Sequence, residues 1–237
     1  MAPCLTGSGY RNMWDRNSAW RERLVKLITI TTAMIQTKHR NLTALFSRYE
    51  YIALLDIDEV IMPLKHENWA GMMDEVVKGS LKIKNETRAS WNFRNVYFMD
   101  EMLDAHEHQH FKDIPEYLHM MQHVYRSANY TKPGQYVKCF HNPEKALILH
   151  NHFPLGCLGG VCTSFPVDTG LAHLQHYRQD CVNTLKKSCA NDFKNNSVKD
   201  TSIWKVKETV ISRTNEALQR MGFFGPGRNQ LSGPAMP

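Results

Sequence analysis

Three acidic side chains, Asp56, Asp58 and Glu59, fall within four positions directly after the apolar run "YIALL". Ionised carboxylates are costly to bury without partners, so this triad must meet solvent, a cation or hydrogen-bond donors. In open α/β sheets, ligands sit in the crevice beyond the carboxyl ends of the strands. From an extended segment, Asp56 and Asp58 at i and i+2 point the same way. Together they can hold one divalent cation through hard oxygen ligands. Such a cation would offset the charge of a diphosphate and ease its departure as a leaving group. The competing reading is that the acids only cap the turn that Pro63 closes.

Two chemistries use a strand ending in Asp-x-Asp. "LLDIDEVI" satisfies the first motif of haloacid-dehalogenase-like phosphohydrolases, in which Asp56 would be the nucleophile and Asp58 the acid/base. That chemistry also needs a late apolar strand ending in two acids, and no Asp-Asp pair occurs anywhere in the chain. The other is metal-dependent glycosyl transfer. "RYEYIALLDIDEVIMP", "ENWAGMM", "FRNVYF", "GQYVKCFHNPEKALILHNHFP" and "LAHLQHYRQDC" follow one another over about residues 40–220. In that order they resemble family 92 glycosyltransferases, in the version found in invertebrate animals.

The resemblance implies an inverting enzyme of the GT-A fold, a β-galactosyltransferase using UDP-galactose and Mn²⁺ in the Golgi membrane, with its catalytic side in the lumen. Its partners would be the nucleotide sugar and a glycan or glycoprotein acceptor. By that likeness Asp56 and Asp58 match the metal and donor motif, with Glu59 beside them. A further His ligand would come from His150, His152 or His176, and Lys138 and Arg178 would meet the phosphates. An inverting transfer also needs a carboxylate base, for which Asp168, Glu101 and Asp100 are available. "AHEHQH" places His106, His108 and His110 at alternate positions and offers another metal-binding pattern. Only 55 residues precede Asp56, whereas family members carry an anchor, a stem and the first nucleotide-binding strands there. The expectation is therefore a truncated domain: 1–17 irregular, 18–221 a partial transferase, 222–237 a loose tail. A non-catalytic remnant that binds glycans is the alternative.

The whole chain fits a lumenal enzyme. Its 237 residues, 42% hydrophobic and 22% charged, suffice for one domain with a core. The net charge of +6 comes from scattered Lys and Arg, with no basic block like a nucleic-acid arm. "CLGGVC" and "CVNTLKKSC" can each close as a local disulfide, Cys157–Cys162 and Cys181–Cys189. The second pair lacks the two-to-four-residue spacing of a zinc site. Sequons at Asn41, Asn85, Asn129 and Asn195 point to the same compartment. The longest apolar run, "LITITTAMI", falls well short of the ~20 residues a spanning helix needs, and no signal peptide precedes it.

These residues need elements to position them. The spacing of Trp20, Leu24, Leu27, Ile28 and Ile35 predicts an amphipathic helix, continued by Leu42, Leu45, Phe46 and Tyr49. Residues 51–55 read as a central strand, and Trp69, Met72, Met73, Val76 and Val77 as a second helix. "ASWNFRNVYF" reads as one strand with a wet face, followed by a polar loop. "QYVKCF" and "ALILH" are strands separated by "HNPEK", with a Gly- and Cys-rich loop at 154–170. Helical signals resume at Leu171, and a last helix carries Ile203, Val206, Val210 and Leu218. The alternation predicts an α/β fold, GT-A-like, with a mainly parallel sheet flanked by helices and its first nucleotide-binding strands lacking.

Overall fold

The computed structural model describes residues 27–30, 49–104, 111–181 and 189–223. Cys4, the helix over Leu42–Phe46, Asn41, the His106/His108/His110 run, and residues 1–17 and 224–237 lie outside the described residues.

The larger sheet has five strands in the order β1 (Leu27–Ile30), β2 (Tyr51–Leu54), β7 (Lys138–His141), β4 (Ser90–Phe93) and β10 (Ser164–Pro166). A second sheet joins β3 (Glu59–Pro63), β11 (Ala172–Arg178) and β5 (Asn95–Met99) in that order. Two small ribbons pair β6 (Tyr125–Ser127) with β12 (Ser197–Lys199), and β8 (Ala146–Ile148) with β9 (Gly156–Cys157). The mixed α/β class holds, with one refinement. β1–β2, β4–β10 and β5–β11 run parallel, but β7 enters between β2 and β4 and runs against both. β3 also runs against β11, so the two sheets are evenly mixed rather than mainly parallel.

The helix α1 (Trp69–Ile83) forms where the apolar spacing places it. Asn68 caps it by accepting from Gly71 N at 2.9 Å. Its buried face of Met72, Met73 and Val76 packs on Ala53, Trp91, Phe93 and Phe140 of the large sheet. Trp69 Nε1 donates to Ile61 O at 2.6 Å, which ties α1 to β3. Short helices α2 (Asp100–Asp104) and α3 (His119–Gln122) follow, and a 3₁₀ turn at Ser202–Val206 leads into α4 (Lys207–Arg220).

Three expectations are corrected. Residues 27–30 form strand β1 beside β2, where helical spacing predicted a helix; the β-branched run "ITIT" favours the extended state. "ASWNFRNVYF" is two strands: Arg94 passes the chain from one sheet to the other. Neither strand has a wet face, because Ser90 and Asn92 bond to Ser164 Oγ at 2.9 and 3.0 Å. Finally, Ala172–Arg178 is the longest strand of the described residues, not a helix. Its alternate polar residues, His173 and Gln175, are fully buried and satisfied by Tyr130 and Ser202.

The two predicted disulfides are formed, Cys157–Cys162 and Cys181–Cys189. Cys139 is a buried free thiol. The sequon residues Asn85, Asn129 and Asn195 are exposed. No helix among the described residues is long and apolar enough to cross a membrane.

Candidate active site

The acidic triad sits at the corner where β2 turns into β3. β2 stops at Leu54, Ile57 and Asp58 form the turn, and Glu59 opens β3. Glu59 N donates to Asp56 O at 3.2 Å, and Asp56 N donates to Glu59 Oε2 at 3.1 Å. The extended i, i+2 geometry expected for Asp56 and Asp58 therefore gives way to a turn. The two carboxylates meet different partners.

Asp56 faces Lys138. The antiparallel β2–β7 register carries the first residue of β7 to the end of β2. Lys138 Nζ lies 2.7 Å from Asp56 Oδ2 and 2.9 Å from Glu59 Oε2. Its side chain is 1% exposed and that of Glu59 is 3% exposed, so this ammonium is enclosed between two carboxylates. Burying these charges is tolerable only because each has the other and the Asp56 N–H as partners. Lys138 thus holds the acidic turn in shape.

Asp58, 43% exposed, faces His176. In the β3–β11 pairing His176 stands opposite Glu59, and Tyr177 N donates to Asp58 O at 2.8 Å. His176 Nε2 lies 3.3 Å from Asp58 Oδ2, and Nδ1 lies 3.5 Å from Glu59 Oε1 and 3.3 Å from Asn95 Nδ2. Burial lowers the His176 pKa; Glu59 and Asp58 pull it back up in part, and Arg178 and Lys138 push it down. The imidazole is therefore neutral at neutral pH and keeps a lone pair.

Arg178 follows His176 on the same face of β11. Its guanidinium carbon lies 5.9 Å from the Tyr97 ring centroid, and its buried Nε has no hydrogen-bond partner among the described residues. Tyr97 pairs with His176 across β5–β11, and burial, against the pull of Arg178, raises its hydroxyl to about 12.

The remaining candidates are placed elsewhere. His152 sits against β7: its Nδ1–H donates to Val137 O at 2.7 Å, and its carbonyl accepts from Cys139 Sγ at 2.6 Å. His150 Nδ1 accepts from His152 N at 3.2 Å. Glu101 lies on α2, just past the carboxyl end of β5, and accepts from Lys194 Nζ at 2.7 Å. Asp100 lies beside it, 3.3 Å from His119 Nε2. Asp168 lies at the opposite end of β11, where Oδ1 accepts from Gly170 N at 2.6 Å and shapes the turn into the strand. Asp56, Asp58, Glu59, His152 and His176 are not gathered into one group. Among the described residues no three or more His, Cys, Asp or Glu side chains converge as a ready metal cage.

A model of the family described as "Glycosyltransferase family 92" matches residues 15–214. The chain belongs to glycosyltransferase family 92. Membership classes it as a glycosyltransferase, which takes a nucleotide-sugar donor and a glycan acceptor. Among curated proteins, none matches the chain. The matched span holds the acidic corner, β7, β11 and Arg178, so the family 92 domain contains every side chain of the site described above.

Two members of this site were not read from the sequence. Asn95 and Tyr97 come from β5, and their signal is a polar residue inside a strand buried on both faces, "NVYFM".

Proposed function

We propose that this family 92 chain transfers galactose from UDP-galactose to a glycan acceptor with inversion, using Mn²⁺ at Asp58 and His176. The observation that carries the reading is the 3.3 Å approach of His176 Nε2 to Asp58 Oδ2 on a partly exposed corner of the sheets. A carboxylate oxygen and a neutral imidazole nitrogen would suit a divalent first-row ion that also takes phosphate oxygens. When bound, the ion supplies charge neutralisation for the departing diphosphate.

The protein's own groups divide the remaining work. Lys138 fixes Asp56 and Glu59, so the corner keeps its shape when an anion arrives. Arg178, with an unsatisfied Nε on the His176 side of β11, offers charge and a donor to a phosphate oxygen. Of the base candidates, Glu101, paired with Lys194, shares the carboxyl end of β5 and β11 with His176 and Arg178, whereas Asp168 is at the far end. Glu101 would take the proton of the acceptor hydroxyl as that oxygen bonds to the sugar's anomeric carbon. The bond from that carbon to the diphosphate oxygen breaks with the electron pair leaving on UDP. The two local disulfides and three exposed sequon asparagines support a lumenal setting, with the Golgi as the compartment.

A donor-hydrolysis screen across nucleotide sugars tests this reading. UDP release from UDP-galactose that needs Mn²⁺ and stops with chelator is the expected result. No release from any nucleotide sugar would favour a glycan-binding role instead.

A further inference from the structure

Three cations flank the acidic corner and the strand ends beside it, and they differ in what holds them. Lys138 Nζ is enclosed by Asp56 and Glu59 at 2.7 and 2.9 Å. Lys194 Nζ is paired with Asp180 and, at 2.7 Å, with Glu101. Arg178 meets no carboxylate among the described residues, and its buried Nε has no hydrogen-bond partner there.

What Arg178 does have is a ring. Its guanidinium carbon lies 5.9 Å from the centroid of Tyr97. The β5–β11 register sets Tyr97 beside His176, whose ring centroid is 5.6 Å away, and Arg178 stands two positions further along the same face. Tyr97 is itself fixed. Its backbone N–H donates to Ser127 Oγ at 3.1 Å, its ring meets Phe193 edge to face at 5.0 Å, and it packs with Met99, Met102 and Cys181.

A carboxylate partner would neutralise the guanidinium and occupy its N–H donors, as happens to Lys138 and Lys194. An aromatic face attracts a cation through its quadrupole and does neither. A planar guanidinium resting on a ring keeps its fork of donors for an anion. We propose that Tyr97 is a positioning residue that holds Arg178, through its ring face and not its hydroxyl, ready to receive a phosphate oxygen of the donor nucleotide. The inference rests on the reading of Arg178 as a phosphate contact.

Titration calorimetry of UDP into the full chain with Mn²⁺ tests it, with Mn²⁺ affinity read separately from the free-ion electron paramagnetic resonance signal. Tyr97→Phe keeps the ring and should bind UDP as the wild type does. Tyr97→Leu should weaken UDP by about five-fold or more and leave Mn²⁺ affinity unchanged. In an Arg178→Ala background Tyr97→Leu should cost nothing further, because the two side chains act on the phosphate as one unit. An equal loss in both backgrounds, or no loss in Tyr97→Leu, overturns the proposal. A parallel loss of Mn²⁺ affinity would mean that the ring acts through His176, and overturns it too. Phenylalanines of increasing fluorination at position 97 keep the ring's shape while draining its face of negative charge. UDP affinity should fall stepwise along that series, and a flat series overturns the proposal even if Tyr97→Leu does not fold. A wild type that binds Mn²⁺ but no UDP refutes the phosphate reading of Arg178 and this inference with it. A wild type that binds UDP but gives a flat series refutes the inference alone.

Discussion

His176 Nε2 and Asp58 Oδ2 stand 3.3 Å apart because β11 pairs antiparallel with β3 and sets His176 opposite Glu59. Two segments more than a hundred positions apart in the chain are thereby fixed by backbone hydrogen bonds, not by the side chains themselves. A site held this way keeps its spacing when empty, which lowers the ordering cost of binding.

Lys138 is predicted to be structural first. Lys138→Met leaves Glu59, 3% exposed, as a buried carboxylate without its cation. Removing one partner of a buried pair typically costs about 3–5 kcal/mol, and most of it should come through Glu59, since Asp56 is 41% exposed. Urea denaturation measures it. Asp58→Asn, at a partly exposed position, should shift the same midpoint by less than about 1 kcal/mol.

Stability should fall as the solution is acidified from neutrality. Burial holds both His141 and His173 down at about 4; the His150 backbone and the Asp200 carboxylate respectively pull back upward, and charge on His150 and on Arg126 respectively pushes further down. The unfolded chain takes up those protons near pH 6.5. Above that pH both states are neutral and the slope is flat. Between about 6.5 and 4 the unfolded state binds protons that the native state refuses, at about 1.4 kcal/mol per pH unit for each histidine. His176, also lowered, adds in the same direction. Equilibrium unfolding from pH 7 to 4.5 reads the slope, and His173→Gln should reduce it by about one proton.

The Cys181–Cys189 bridge should matter to the fold around Tyr97. Cys181 packs with Tyr97, Met99 and Met102, and Cys189 with Phe193 joins them. Opening a loop of this size by Cys189→Ser should cost about 2–3 kcal/mol. Non-reducing peptide mapping should find both local pairs, and free thiols at these positions would contradict the lumenal setting.

The sequence announced what was local or repeated. Helix α1 was legible because Met72, Met73 and Val76 recur at helical spacing, and the disulfides because each closes a short loop. Asp56 and Asp58 were legible as a partly exposed corner because carboxylates after "YIALL" need solvent or partners, whereas Glu59 is buried against Lys138. Strand β11 was not: with His173 and Gln175 buried in a satisfied network, its period-two pattern of inside and outside vanished. The break at Arg94 was hidden because both β4 and β5 are buried throughout. Lys138 read as a cation for phosphate, since nothing local reveals that β7 would enclose it between Asp56 and Glu59. The contact of Asn95 with His176 joins positions some eighty residues apart.

The central claim is that Asp58 and His176 present a cation to a nucleotide diphosphate. Titration calorimetry of UDP-galactose into the full chain, with Mn²⁺ and again with chelator, tests it most directly. Heat of binding should appear only with Mn²⁺ and disappear in Asp58→Asn while that variant keeps its urea midpoint. Binding that persists without the metal, or that survives Asp58→Asn unchanged, would contradict the account.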